Sequence, residues 1–210
     1  MTITDLTHVI SQDMPVYPGT EPPVIVDGCT IEKDGFAEKT LTMFTHTGTH
    51  MDAPAHVLKG KKTLDQLSAA FFVGKAVMLD CTEVNGEIDI ARLQEIEVDL
   101  FAADYLILKT GWCKYWGSDA YYDHFPVLSL DAAAYLAGLE LRGIGIDTIS
   151  VDPVSAADLP VHRILLEKNM VIIENLNLPD ELPSEFTLSC LPMKLKGADG
   201  SPIRAVAMTY

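Results

Sequence analysis

Basic residues are scarce in this chain. Fifteen Lys and Arg stand against 30 Asp and Glu, a formal net charge of -15. A surface of that sign repels phosphate backbones, so nucleic acid is excluded as the expected partner. Small substrates stay open, because the field at a bound metal can oppose the overall sign. Cysteine is sparse and dispersed: Cys29, Cys81, Cys113 and Cys190 form no C-x-x-C pair. That argues against a zinc ribbon or a disulfide frame and fits reduced thiols acting as small hydrophobes. No apolar run approaches the roughly 20 residues of a membrane span. The first eight residues lack the basic start and apolar core of a signal peptide, so a soluble, cytoplasmic protein without membrane partners is expected. No glycine-rich phosphate loop follows any strand-like run, and no G-x-S-x-G elbow occurs. Neither a doubly wound nucleotide-binding fold nor nucleophilic serine catalysis is therefore expected.

What is present is concentrated. Three of the six histidines and one aspartate, His46, His50, Asp52 and His56, occupy even positions within eleven residues, with Gly48 and Pro54 between them. Imidazoles and a carboxylate suit a divalent transition metal. In an extended strand His46 and His50 would lie about 13 Å apart. Two ligands of one ion, each about 2.1 Å from it, come within about 4 Å. The chain must curl here, and glycine and proline permit and fix a curl. A metal-binding loop or irregular turn at a strand end is the expectation. Three ligands, His46, His50 and Asp52, leave an ion open to water or substrate, as in catalytic zinc sites. His56 reads equally as a partner of a ligand or as a general acid/base working near neutral pH.

The remaining chain of 210 residues, 48% hydrophobic, reads as one domain of α/β class. Strand-like runs cover 2–10, 22–31, 37–45, 71–79, 105–111, 144–147, 170–173, 186–191 and 205–209. Helical patterns cover 64–69 behind Thr63, 89–96 with Asp89 in the first turn, 130–139 behind Ser129, and 159–168. Segment 112–126 is aromatic and irregular, a candidate lid or subunit contact. His162 in the last helix and Glu174 after the next strand are within mutual reach, since a helix run of about 9 Å is followed by about 13 Å of strand. A helix-face histidine and a strand-end glutamate remain the plainer reading of that spacing. His8 reads as a turn residue or a ligand's partner, and His124 as structural or interfacial. Asp147 and Asp152 read as turn caps.

The stretch from His46 to His56 matches H-x-G-T-H-x-D-x-P-x-H, the signature of the cyclase family, which includes bacterial kynurenine formamidase. The resemblance continues through Pro15-Val16-Tyr17-Pro18-Gly19, Gly145-Ile146-Asp147, Val151-Asp152-Pro153, Glu174-Asn175-Leu176 and Gly200-Ser201-Pro202. It implies a compact single domain over 1–210, of the swivelling β/β/α type with a mixed sheet, in homodimers or higher assemblies. His46, His50 and Asp52 resemble the ligands of a first metal. Asp52 would bridge to a second, completed by residues that resemble His162 and Glu174. One or two ions are implied, zinc foremost and manganese as the alternative. His56 resembles the proton donor and acceptor. The implied activity is hydrolysis of a small amide, an N-formyl arylamine such as N-formylkynurenine, by metal-bound hydroxide. Opening of a cyclic amide or lactone, as in the related isatin hydrolases, is the alternative, and a non-catalytic binder a third reading. Tyr17 replaces a tryptophan that packs on the aryl ring of substrate in kynurenine formamidases, and it too can stack on a ring.

Overall fold

The computed structural model describes residues 1–210. Its centre follows from the least polar run of the sequence. Tyr105-Leu106-Ile107-Leu108 has no polar alternation, and such a strand needs cover on both faces. Thirteen strands form. The first seven are β1 (Thr2–Asp5), β2 (Val24–Cys29), β3 (Glu38–Thr42), β4 (His50–Asp52), β5 (Val73–Asp80), β6 (Glu87–Ile88) and β7 (Tyr105–Lys109). The rest are β8 (Val127–Leu128), β9 (Gly143–Ile146), β10 (Val171–Glu174), β11 (Glu185–Ser189), β12 (Gly200–Pro202) and β13 (Val206–Thr209). Nine join one mixed sheet in the order β1-β13-β11-β5-β7-β9-β10-β4-β12. The four central strands, β5, β7, β9 and β10, run parallel, and antiparallel pairs flank them on both sides. This is the α/β class with a mixed sheet that the sequence implied.

Alternation along the strands divides the core in two. Tyr105, Ile107, Val171 and Ile173 face one side, where Phe186, Leu188 and Ala207 from the curled outer strands cover them. Leu106, Leu108, Ile144, Ile146 and Ile172 face the other. Two of the five helices, α4 (Leu130–Leu136) and α5 (Pro160–Glu167), close that second face through Ala133, Leu136, Val161 and Leu165. The others are α1 (Ile31–Asp34), α2 (Ile90–Gln94) and α3 (Glu97–Leu100). Glycine at 143 permits the close approach of β9 to β10, since a Cβ there would lie 2.7 Å from the Val171 carbonyl oxygen.

Several boundaries differ from expectation for local reasons. The first strand stops at Asp5, whose carboxylate turns the chain by accepting from Thr7 N. Run 22–31 gives way after Cys29 to α1, which Gly35 ends in the left-handed region. Run 64–69 forms only a 3-10 turn, Leu64–Gln66, with a reciprocal cap between Thr63 and Gln66. Asp89 lies before its helix and caps it by accepting from Arg92 N. Segment 112–126 holds two 3-10 turns, and its Tyr121 and Phe125 are buried against Val127 and Ile149. These residues give the segment a small core of its own.

His8 stacks flat on Trp116 in that small core, ring centroids 3.9 Å apart. Its Nε2 is sealed from solvent without a partner, and burial pushes its pKa down to about 4. In the unfolded chain the ring protonates near its ordinary value of 6.5. The contribution is thus intact above about pH 6.5 and declines as the pH falls towards 4. His8→Phe keeps the stack and removes the titration. Urea unfolding of metal-free protein between pH 7 and 4.5 is expected to show a shallower acid loss in H8F than in wild type.

Candidate metal centre

The histidine-rich stretch combines a turn with a short strand. Gly48 adopts φ +66° and bends the chain between His46 and His50. From there β4 is extended and wholly buried, with Met51 in the core and His50 and Asp52 on the opposite face. The curl is therefore needed only for His46; His50 and Asp52 share a face by ordinary strand alternation. Antiparallel pairing sets Glu174 of β10 directly opposite His50. Helix α5 brings the fifth residue. Its first turn lacks a cap from Leu159, and the Asp152 carboxylate takes that place, accepting from Val161 N and His162 N at 3.0 Å each.

Five side chains converge as a result. Asp52 Oδ1 lies 2.6 Å from His46 Nδ1 and 3.4 Å from His50 Nε2. The Glu174 oxygens lie 3.6 Å from His50 Nε2 and 3.3 Å from His162 Nε2. The metal-facing nitrogens are selected from behind. His50 Nδ1–H donates to the Gly48 carbonyl at 2.8 Å, and His162 Nδ1–H donates to Asp152 Oδ2 at 2.7 Å. Each leaves Nε2 directed at the carboxylates, the outer hydrogen bonding characteristic of metal-binding histidines. The His46 ring lies over Gly200, where a Cβ would come within 2.5 Å of it, and its Nε2 is 3.2 Å from Asp199 Oδ2.

Asp52 Oδ2 supplies the test of fit. It is buried and has no hydrogen-bond partner, although His162 Nε2 stands 3.3 Å away. A buried polar atom without a partner costs about 1–3 kcal/mol, and a carboxylate oxygen more, unless a cation faces it. Burial opposes charge on His46, yet Asp52 and Asp199 raise its pKa to about 10. Burial likewise opposes charge on His162, and the facing carboxylates of Asp152, Asp52 and Glu174 push it well above the ordinary histidine value. The cluster thus demands positive charge, and a divalent cation would supply it in place of those protons. Imidazole nitrogens and carboxylate oxygens together suit zinc or manganese. The liganding atoms of His46, His50 and Asp52 all lie within 4.8 Å of one another.

His56, at the end of the 3-10 turn Pro54–His56, packs its ring 3.9 Å from that of His46. Burial pulls its pKa below the ordinary value, against the attraction of Asp52. Tyr17 and His56 line one cavity of about 440 Å³ with the five converging residues, walled on its apolar side by Phe44, Ile149, Val154 and Leu159. His124 lies on the surface beside Asp123, and buried Asp147 serves the Thr110 backbone and hydroxyl; neither reaches the centre. Asp152, expected as a turn cap, instead caps the start of α5 and also orients His162. Asp199 has no precedent in the sequence reading. No spacing rule links it to His46, 153 residues earlier, and only the neighbouring Gly200-Ser201-Pro202 carried a signal.

The Cyclase family model matches residues 4–153. The chain belongs to the cyclase family. Kynurenine formamidase of Geobacillus thermodenitrificans is 34% identical over 204 residues, covering 96% of this chain and 94% of that protein. Among solved structures, isatin hydrolase A from Labrenzia aggregata bound to benzyl benzoate gives a TM-score of 0.89 at 26% identity, covering 99% of this chain and 93% of that one. A predicted metal-dependent hydrolase from Bacillus stearothermophilus gives 0.82 at 29% identity, covering 98% and 97%. This cyclase-family chain has no helix long and apolar enough to cross a membrane.

Asp152→Asn retains an oxygen for the helix cap but not the carboxylate charge behind His162. Metal affinity, measured by chelator competition, is expected to fall about 10- to 100-fold, the usual cost of losing such a partner.

Proposed function

We propose that this metal-dependent hydrolase cleaves the C–N bond of a small aryl amide, with an N-formyl arylamine such as N-formylkynurenine as its substrate class. The observation that carries the proposal is His56 lining an apolar-walled cavity beside the five converging side chains, its ring packed on that of His46. The likeness to kynurenine formamidases over almost the whole chain supports the choice of substrate. His46, His50, Asp52, His162 and Glu174 would hold one or two divalent ions, zinc foremost and manganese as the alternative. Such an ion polarises the carbonyl and lowers the pKa of water.

The protein's own groups do the rest. His56 accepts a proton from the attacking water and returns it to the departing nitrogen. Asp199, whose Oδ2 is 3.7 Å from His56 Nδ1, favours the imidazolium formed between those steps. Tyr17 and Phe44 present ring faces to the aryl group and restrict its orientation. A cyclic amide is the second reading, supported by the structural likeness to isatin hydrolase A. Residues 1–210 act as one domain in this proposal. A cytoplasmic location belongs to the same proposal, and four cysteines free of disulfides suit a reducing compartment.

The hairpin of β2 and β3 stands outside the main sheet and exposes Val24, Val26, Phe36 and Leu41. Apolar side chains on a two-stranded ribbon call for cover, and a homodimer is proposed to supply it. Light scattering is expected to report twice the 23.0 kDa chain mass, and Val26→Asp with Leu41→Asp to return it to one chain.

His56→Ala is expected to keep its metal and lose about 10²- to 10⁴-fold in kcat, whereas His50→Ala loses both metal and turnover. Full activity in H56A would remove His56 from the proton transfers. The substrate class is tested by comparing kcat/KM on N-formylkynurenine and isatin. No turnover on either, or across a wider formamide, lactam and lactone panel, favours a non-catalytic binder.

A further inference from the structure

The aromatic segment 112–126 has no part in the chemistry above, yet one of its side chains is hydrogen-bonded into the back of the metal centre. Tyr121 is fully buried, and its hydroxyl lies 2.7 Å from Asn175 Oδ1 and 3.4 Å from the Asp147 carbonyl. Asn175 directly follows Glu174 and is held in the left-handed region at φ 57°. Its own backbone is pinned on both sides, N–H donating to the Thr148 carbonyl and C=O accepting from Thr49 Oγ1 at 2.6 Å. Its side-chain nitrogen lies 3.0 Å from the Gly48 carbonyl and 3.4 Å from His50 Nδ1.

The donors and acceptors admit one arrangement. The Gly48 carbonyl can only accept, and it receives His50 Nδ1–H on one lone pair. The Asn175 end facing it must therefore be the NH₂, which turns Oδ1 towards Tyr121. A hydroxyl has one proton, and at 2.7 Å Asn175 is the better acceptor than Asp147 at 3.4 Å. If the amide turned over, Oδ1 would meet the Gly48 carbonyl and compete for the proton on His50 Nδ1. That proton is what leaves His50 Nε2 as a free lone pair facing Asp52 and Glu174.

We propose that Tyr121 is a positioning residue for the metal centre, acting through Asn175 to hold the Gly48 turn and the His50 ring in their metal-binding arrangement. The aromatic segment is then a support of the centre, linked to it by a single file of hydrogen bonds. The inference rests on the metal centre assigned under the proposed function.

The test is zinc affinity by chelator competition, with thermal melting of each metal-free protein recorded alongside. Tyr121→Phe keeps the ring and its packing and removes only the hydroxyl. It is expected to bind zinc about tenfold more weakly, the lower end of the range for groups behind a ligand. Asn175→Gly tolerates the positive φ and is expected to lose at least as much. Because one residue acts through the other, the double variant is expected to match Asn175→Gly alone. Wild-type zinc affinity in Tyr121→Phe, or losses that add fully in the double variant, would overturn the proposal while leaving the metal centre standing. A loss of affinity in Tyr121→Phe matched only by a lowered metal-free melting temperature, with additive losses, counts against it in the same way. Failure of the wild-type protein to bind zinc or manganese at all overturns both.

Discussion

A carboxylate sealed inside a protein needs positive charge beside it, and Asp52 imposes that need on this fold. It is 1% exposed and sits at the middle of the molecule's polar interior. Ionised carboxylates are too costly to bury unless paired and hydrogen-bonded. Three imidazoles crowd around it, and each is drawn from a different device: a glycine turn for His46, strand alternation for His50, a capped helix for His162. The sheet order answers the same need. Placing β4 between β10 and β12 puts Glu174 opposite His50 and Gly200 opposite Asp52.

The groups that shape the centre also hold the fold together. Asp152 is a helix cap and the partner of His162 at once. Glu174 closes a strand and accepts from Val151 N. Gly200 belongs to the β12 pairing and makes room for the His46 ring. Such double use confines the cavity wall, with Tyr17, Phe44, Ile149 and Val154, to the part of the site free of structural bonds to the ligands.

Much of this was legible in the amino-acid order, but unevenly. Apolar runs located β5, β7, β9 and β10 because burial on both faces leaves a continuous signature. The cluster at 46–56 was legible because its side chains are local in sequence, and the need for a bend at Gly48 followed from distance alone. That His162 and Glu174 join that cluster was not, since it depends on β10 pairing with β4, a register that neither segment encodes by itself. The signature resemblance supplied them instead. Asp199 and the Tyr121–Asn175 link stayed hidden for the same reason: a contact across 50 or 150 residues leaves no periodicity. Short elements failed for another reason. Turns such as Leu64–Gln66 are held by their own caps, and apolar spacing does not tell a 3-10 turn from a helix.

The pairing of β12 with β4 has a consequence in time as well as space. Residues 200–202 form the outer neighbour of the strand that carries His50 and Asp52. During synthesis the chain emerges from its N-terminal end, so the ribosome will have released the 46–56 cluster long before that neighbour exists. Until then β4 has an open edge, and Asp199 is not present to hold His46. The cluster therefore gains its outer strand and its Asp199 contact only after residues 199–202 have been translated.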